Sequence, residues 1–370
     1  MNKQEIAEIK KQYSIKECAI SRIAGAYVDA EKNIKATFNK QFLSLPEEEI
    51  YKYLDIFKKG LSGIVGKNIT TAEYDLAQEE KGSMHDFLMK VRNTKLENEE
   101  LLHILYERIA EAYPDVSNFL IMLLYNVYDI PGRGNDQFKN VEASDEVYEY
   151  MTCYICPVAL EKPGLVFDPV KADFVQKETR WEVGVPIYSF TFPSFEDRCT
   201  DIHHVTIYTK KTDGQFDDFS KEILGLEPVV AADLQKETFQ KLIADAVSQK
   251  DDPMEIVKGI QGDILTALEE EETEEISYEK LQHVLTENSI STEDADSIIA
   301  EMKETLNNHP IMATNVVDKK KLKINAPDIE IKITAEKGGE ITKQIINGKN
   351  CLVVPIEDNS EVEVNGVKIG

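Results

Sequence analysis

The stretch Phe119-Leu-Ile-Met-Leu-Leu-Tyr-Asn-Val-Tyr128 lies in the longest apolar run of the chain. A short continuous apolar run is typical of a strand that is buried on both faces, because neither face keeps residues for solvent. The run is much shorter than the roughly 20 apolar residues that span a bilayer. We therefore expect a central strand inside a covered sheet and no membrane segment.

The sequence before this run predicts alternating helices and strands. Two β-rich runs are separated by the turn-forming segment Asp29-Ala-Glu-Lys-Asn33, which favours a hairpin. Pro46 followed by three glutamates is typical of a helix start, because anions stabilise the amino end of the helix dipole. The expected elements are helices at 2–13, from 47, at 83–93 and at 97–112, and strands at 18–28 and 34–42.

The sequence after this run predicts β structure, then helices, then a small β unit. Gly225 closes the expected helix 216–224 as a C-cap, and Asn347-Gly348 and Asn365-Gly366 are typical hairpin turns. Four helical segments are expected within 231–308. The expected β runs are 147–155, 165–175, 185–192, 202–209 and those within 321–368. The fold class is α+β, with an N-terminal α/β region (1–140), a β-rich region ending in a helix (141–230), a helical region (231–310) and a small C-terminal β domain (311–370).

Composition narrows the partner classes. The 370 residues carry a net charge of −26 and only six arginines, none after Arg198. This balance favours solubility and disfavours extended contacts with nucleic acid or anionic lipid. Five cysteines, an odd number, indicate reduced thiols, and the first residues lack the apolar segment of a signal peptide. We expect a cytoplasmic protein without membrane association.

Cys153-Tyr-Ile-Cys156 is the only C-x-x-C of the chain. Together with Cys199 and His203 it supplies the ligand types of a zinc site, and a C-x-x-C can also be redox-active. The flanking residues predict a strand, however, and residues three apart on a strand face opposite ways. Buried structural cysteines are therefore the favoured interpretation, and we expect no cofactor.

The segment Glu196-Asp-Arg-Cys-Thr-Asp-Ile-His-His204 is the densest polar cluster. A hydrolase could use Asp201 with His203 and His204 as acid and base. A charged loop, with Arg198 bound to a nearby carboxylate, is the favoured interpretation of the cluster. The chain has no H-E-x-x-H, phosphate-binding loop or nucleophile elbow, so we expect no catalytic residues.

Several passages resemble an uncharacterised bacterial family, domain of unknown function 4317. The resemblance runs through the whole chain and implies no known activity. It rests on Glu5-Ile-Ala-Glu-Ile-Lys-Lys11, Ser21-Arg-Ile-Ala-Gly-Ala-Tyr-Val-Asp29, Ala143-Ser-Asp-Glu-Val-Tyr-Glu-Tyr150, Cys156-Pro-Val158 and Asp197-Arg-Cys-Thr-Asp-Ile202.

The order of the parts also resembles that of bacterial nucleoid-associated proteins, including the segment from Val205 to Gly225. This resemblance implies a non-enzymatic interaction protein, nucleoid-associated-like, that binds DNA or a DNA-handling protein. Protein partners, DNA and a homo-oligomer all stay open. Lys319, Lys320, Lys321 and Lys323 form one local basic cluster for such a contact, and a solvated strand start explains them equally well.

Two alternatives of other classes remain. One is a metal-dependent or hydrolytic enzyme that uses the region of Cys153, Cys156, Cys199 and His203. The other is an acidic mimic of nucleic acid, for which the sequence offers only the carboxylates of 269–275.

Overall fold

A computed structural model describes residues 1–133, 139–140, 146–227, 229–270, 275–318, 321–356, 362–364 and 367–369. It divides into two compact units, Met1–Leu234 and Gln235–Gly370.

Unit 1 combines helices with a large sheet. Its helices are α1 (Lys3–Gln12), α2 (Glu47–Lys59), α3 (Met84–Asn93), α4 (Glu99–Ala112) and α5 (Asp217–Leu224). Its first strands are β1 (Ile20–Val28), β2 (Ile34–Gln41), β3 (Ile69–Glu73), β4 (Phe119–Asp129), β5 (Gly132–Arg133), β6 (Lys139–Asn140) and β7 (Val147–Leu160). The remaining strands are β8 (Leu165–Asp168), β9 (Asp173–Gln176), β10 (Trp181–Val183), β11 (Tyr188–Phe192), β12 (Ser194–Glu196), β13 (Cys199–Asp201) and β14 (His204–Thr209).

The main sheet is antiparallel, in the order β2-β1-β4-β7-β11-β14-β3, with β10 paired to β7. β4 and β7 stand at its centre, in register from Phe119↔Pro157 to Asp129↔Val147. β4 is buried along nearly its whole length. The expectation of a central strand covered on both sides is confirmed.

Each face of the sheet has its own core. Ile121 and Leu123 of β4 pack with residues of α3, α4 and α5 on one face. Met122 and Leu124 pack on the other face with residues of α1 and α2. Successive side chains of a strand point to opposite faces, so one apolar strand supplies both layers.

The helix ends follow local sequence signals. Asn2 caps α1, accepting from the backbone N–H of Gln4 and Glu5, while the Glu5 side chain accepts from the N–H of Asn2. α2 begins directly after Pro46, with three glutamates in its first turn. α5 ends at Gly225, whose φ of 73° lies in the left-handed region that glycine enters without steric cost.

Unit 2 starts within helix α6 (Ala232–Val247) and continues with helices and short strand pairs. The further helices are α7 (Pro253–Glu270), α8 (Tyr278–Glu287), α9 (Thr292–Thr305), α10 (Ala313–Val316) and α11 (Ala335–Gly338). The strands are β15 (Glu275–Ile276), β16 (Ile311–Met312), β17 (Lys321–Ala326), β18 (Ile329–Thr334), β19 (Thr342–Ile346), β20 (Lys349–Val353), β21 (Val362–Val364) and β22 (Val367–Ile369).

The strands of unit 2 form separate two-stranded pairs. Asn347 and Gly348 both have positive φ and join β19 to β20, as the hairpin prediction required. The second predicted turn, Asn365-Gly366, lies outside the described residues. Lys258 of α7 donates to the carbonyls of Gly339 and Ile341, which holds the start of β19 against the helices.

The α+β class is confirmed. The main sheet draws strands from both sequence regions 1–140 and 141–230, so those two regions share one core. The four-region division stays a prediction. Among the helices of the described residues, none is long and apolar enough to cross a membrane.

Candidate functional site

Strand β7 continues past the end of its neighbour β4. The pairing of β4 with β7 stops where Phe119 meets Pro157. Residues 158–160 pair instead with β10, in the register Val158↔Val183 to Leu160↔Trp181. The chain therefore leaves the main sheet as a two-stranded ribbon.

The ribbon extends through residues 158–183, which we call the arm. The backbone N–H of Glu161 donates to the carbonyl of Arg180 over 2.9 Å, and that of Lys177 donates to the carbonyl of Gly164 over 2.7 Å. These bonds link the β7–β10 pair to the β8–β9 hairpin that forms the end of the arm.

A tight turn closes the arm between β8 and β9. The Asp168 carboxylate accepts from the N–H groups of Val170 (2.9 Å) and Lys171 (3.2 Å), the Asx-turn arrangement of such loops. Ala172 has a φ of 49°. The run expected at 165–175 is thus two strands and a turn. The Asp168-Pro169 pair is the sequence signal that could have revealed it.

The arm exposes large apolar side chains. Leu165 is 76% exposed, Phe167 56%, Phe174 68% and Trp181 57%. The rings of Phe167 and Phe174, opposite each other in register, meet edge to face with centroids 5.6 Å apart. Trp181 is the one tryptophan of the chain. Such side chains are buried in most folds, so the arm carries a concentration of exposed apolar surface.

Charges on the arm are nearly balanced. Residues 158–183 hold four cationic and five anionic side chains, a net charge of −1. Several of them pair within the arm: Lys177–Glu161 at 2.8 Å, Lys171–Asp168 at 3.9 Å and Arg180–Glu178 at 3.9 Å. The arm therefore presents exposed apolar side chains next to charged side chains, several of which are paired with one another.

The two cysteines of the C-x-x-C face opposite sides of the sheet. Cys153 lies in the core beneath α3 to α5, and Cys156 lies in the core beneath α1 and α2. Both are fully buried, and burial raises the pKa of both thiols. They share no site, and neither is poised as a thiolate nucleophile.

The other predicted ligands have partners of their own. Cys199 is exposed and donates to Glu146 over 3.4 Å, which raises the pKa of its thiol. His203 Nδ1 lies 2.6 Å from Glu79 Oε1, and this carboxylate raises the pKa of the imidazole. Among the described residues, no group of three or more His, Cys, Asp or Glu could hold a metal ion.

The polar segment 196–204 closes against the rest of unit 1. Arg198, at the turn between β12 and β13, donates to both carboxylate oxygens of Glu8 over 2.8 and 3.2 Å. The Tyr128 hydroxyl donates to the same carboxylate over 2.6 Å. Asp201 Oδ2 lies 2.8 Å from His204 Nδ1. Arg198 thus binds α1 to the hairpin, in agreement with the structural interpretation of this cluster.

The predicted lysine cluster is only partly described. Lys319 and Lys320 lie outside the described residues, as do residues 271–274 of the glutamate run. Lys321 and Lys323 are exposed on β17. Lys323 stands opposite Lys332 of β18, so these lysines share one face of a hairpin.

A protein-family model with the description "Domain of unknown function (DUF4317)" matches residues 1–367. The chain belongs to this family. The DUF4317 match spans both compact units and includes the arm. Comparison with curated proteins gives no match. The family resemblance seen in the sequence is confirmed, and the resemblance to nucleoid-associated proteins stays a prediction.

A second feature of this DUF4317 chain is a shallow cleft between β14 and the start of α5. Its polar lining includes Lys67, Thr70, Thr209, Lys211, Thr212 and Asp217. Burial, followed by the charges of Asp218 and Asp213, raises the pKa of Asp217 to about 6. The cleft therefore holds a carboxyl group that changes protonation close to neutral pH.

Proposed function

We propose that this protein is a non-enzymatic interaction protein that binds protein surfaces through its arm. The observation that carries the proposal is the exposure of Leu165, Phe167, Phe174 and Trp181 on one two-stranded ribbon. The sequence predicted an interaction protein and offered only the lysine cluster at 319–323 as its contact surface. The exposed apolar side chains support the arm as another candidate surface.

The energetics of the arm support a partner. A two-stranded hairpin alone is marginally stable in water. With 150–250 Å² per aromatic side chain, the exposed parts of Phe167, Phe174 and Trp181 amount to roughly 400 Å². At about 25 cal/mol per Å², covering this aromatic area alone contributes on the order of 10 kcal/mol before the costs of association.

The charge of the arm favours a protein over DNA. Phosphate backbones are bound by surplus cationic side chains, whereas the arm has a net charge of −1. Aromatic anchors with balanced charges at the margin are typical of protein interfaces. Of the partner classes that the sequence left open, protein is the one we place at the arm.

Site-specific photo-crosslinking in cells tests this function. A photoreactive amino acid replaces Phe174 in one variant and Leu76 in the control, since Leu76 is an exposed side chain of unit 1 outside the arm. We expect discrete protein adducts from position 174 and a weaker, diffuse background from position 76. The same faint background from both positions would contradict the proposal.

A DNA contact through unit 2 is the second candidate. It rests on the face that carries Lys321, Lys323 and Lys332, although Lys332 also pairs with Glu330 at 2.8 Å. The other face of the hairpin carries half-buried aliphatic residues such as Ile331 and Ile333. Three lysines limit the salt dependence, because each phosphate contact contributes about −0.9 to the slope of log affinity against log salt.

Fluorescence anisotropy with a duplex probe across a salt titration tests the second candidate. Binding through this face predicts a slope no steeper than about −3 and loss of binding in the double variant Lys321→Glu, Lys323→Glu. The matched control is Lys343→Glu, Lys349→Glu on the separate hairpin β19–β20. No anisotropy change at low salt would remove this candidate.

A further inference from the structure

We propose that the surface bound by the arm is the arm of a second copy of this chain. This inference rests on the proposed function, since it names the partner of the same surface. The occupant follows from the charge, the pairing pattern and the area of the arm.

Self-association has to overcome the net charge of −26 on each chain. The arm is the part of the surface where this cost is reduced, because its net charge is −1 and its ion pairs are internal. Two identical arms therefore meet without a strong like-charge penalty. Because the arm is nearly neutral, it does not need a positively charged partner. It also offers no excess positive charge that would attract a negatively charged surface.

The ribbon is also suited to twofold pairing. β8 and β9 pair only with each other among the described strands, so each keeps one backbone edge to which another strand can be added. An interface around a twofold axis places the same patch on both subunits. The centre of this patch is the apolar cluster of Leu165, Phe167 and Phe174, with Gln176 beside it, and an apolar cluster can pack against its own copy.

The available area matches a small dimer interface. The aromatic side chains of one arm offer roughly 400 Å², and Leu165, Val166 and Val170 are further exposed apolar residues of the same hairpin. Two arms together therefore supply on the order of 1,000 Å², which is about the lower bound for a specific interface. We expect a reversible dimer with a concentration-dependent population.

The chain contains its own reporter for this contact. Trp181 is the sole tryptophan and stands on the arm opposite Leu160. Indole emission shifts to shorter wavelength when water is excluded from the ring. Dimerisation through the arm therefore predicts an emission maximum that moves to shorter wavelength as the concentration of the full-length protein rises.

The experiment combines this emission with sedimentation velocity on three full-length proteins. They are the natural sequence, the arm variant Phe167→Ser, Phe174→Ser, and the control variant Leu76→Ser, Val116→Ser. Leu76 and Val116 are exposed apolar residues of unit 1 outside the arm. We expect the natural sequence and the control to pass from the 42.0 kDa monomer to the dimer, with the emission shift. We expect the arm variant to dissociate roughly a hundredfold more readily, with emission that does not change with concentration.

Several results would overturn the inference. One is a natural protein that stays monomeric, with constant emission, at concentrations of tens of micromolar. Another is an arm variant that dimerises like the control, which would place the interface elsewhere. A third is a monomer whose Trp181 emission shifts only on addition of vesicles of equal parts phosphatidylcholine and phosphatidylglycerol, which would assign the arm to lipid.

Failure of this inference is distinguishable from failure of the proposed function. A monomeric protein that gives adducts with other proteins from position 174 in cells would refute self-pairing and keep the interaction function. A monomeric protein without such adducts would refute both. Far-UV circular dichroism of each variant shows whether unit 1 keeps its fold.

Discussion

The buried part of strand β7 and the arm that continues it are two regions of similar apolar character and opposite environment. From Tyr148 to Cys156 nearly every side chain is buried, between helices on both faces of the sheet. A few residues later, from Leu160 onward, the aromatic and aliphatic side chains of the arm are largely exposed. An apolar sequence therefore indicates that its side chains are to be buried, but it does not determine which surface covers them. In the main sheet the covering surface belongs to the same chain. At the arm we propose that it belongs to another chain.

The largest expected contrast is between two phenylalanines. Phe57 is fully buried among Tyr13, Phe42 and Tyr154, so Phe57→Ala should lower the free energy of unfolding by about 4 kcal/mol. Phe174→Ala on the arm should change it by less than about 0.5 kcal/mol in the monomer. Urea unfolding followed by circular dichroism, at concentrations below dimerisation, compares the two. Equal losses would mean that the arm folds onto its own chain.

Two glycines, Gly25 in the sheet and Gly164 in the arm, show the same difference between a packed and an open environment. A Cβ at Gly25 of β1 would lie 2.4 Å from the carbonyl oxygen of Ile121 and 2.6 Å from the Phe38 ring, whereas one at Gly164 of the arm would meet nothing within 4 Å. Gly25→Ala should therefore cost about 2 kcal/mol through overpacking. Gly164→Ala should be nearly neutral. Thermal unfolding of both variants provides the measurement, and a destabilised Gly164→Ala protein would reveal a contact at the arm.

Most strands of the main sheet and several helix ends were predictable, since the signals are local, but the edge strand β3 was not among the expected strands. The run from Phe119 to Tyr128 identified the central strand, and Gly225 identified the end of α5. The exposure of the arm was not predictable, because Leu165-Val-Phe-Asp168 looks like any apolar strand until its neighbours in space are known. Tyr188-Ser-Phe-Thr-Phe192, another apolar strand, is entirely buried in the main sheet. Burial depends on distant parts of the chain, which periodicity does not report.

The same limit applies to the candidate ligands. Cys153, Cys156, Cys199 and His203 have the composition of a metal site, and only the topology shows that a sheet separates the first two. The strand pattern around Cys153 predicted that the two thiols of the C-x-x-C face opposite sides of the sheet. It contained no information on which helices cover each face.

A smaller effect on stability is expected from the half-buried carboxyl of Asp217, which, unlike several charges of the arm, is not neutralised by an ion pair with any described residue. The pKa of Asp217 is raised to about 6 in the folded protein, above its ordinary value of 3.8. The folded protein favours the protonated Asp217 carboxyl. The stability from this preference is therefore lost as pH rises from the pKa of Asp217 in the unfolded chain, 3.8, through its pKa in the folded protein, and the loss is complete above pH 6. Asp217→Asn should restore about 1 kcal/mol at pH 7.5, after allowance for solvent screening. It should restore nothing at pH 3.5.

Denaturant titrations at the two pH values check this expectation. The control is Glu222→Gln, since Glu222 is an exposed side chain of the same helix and its charge is not a cause of the raised pKa of Asp217. An Asp217→Asn gain that is equal at both pH values would show that the carboxyl is not the cause.

The smallest effect is expected for the ion pair between Glu161 and Lys177. The Lys177 ammonium, 2.8 Å away, lowers the pKa of the Glu161 carboxyl. Any stabilisation is therefore present above the ordinary carboxyl pKa and lost on acidification. Because the pair is partly open to solvent, salt screens it, and Glu161→Gln should leave the unfolding midpoint unchanged within error in 0.5 M salt. A clear loss of stability at that salt concentration would indicate that the pair is buried by an associated molecule.

The opposite orientation of Cys153 and Cys156 gives the sheet one thiol under each helical layer. A thiol reagent reaches Cys153 only when α3 to α5 lift from the sheet, and it reaches Cys156 only when α1 and α2 do. The rates of modification at the two positions therefore report two separate opening equilibria of the same protein. The order in which its layers come apart can be timed on the natural sequence, with no substitution.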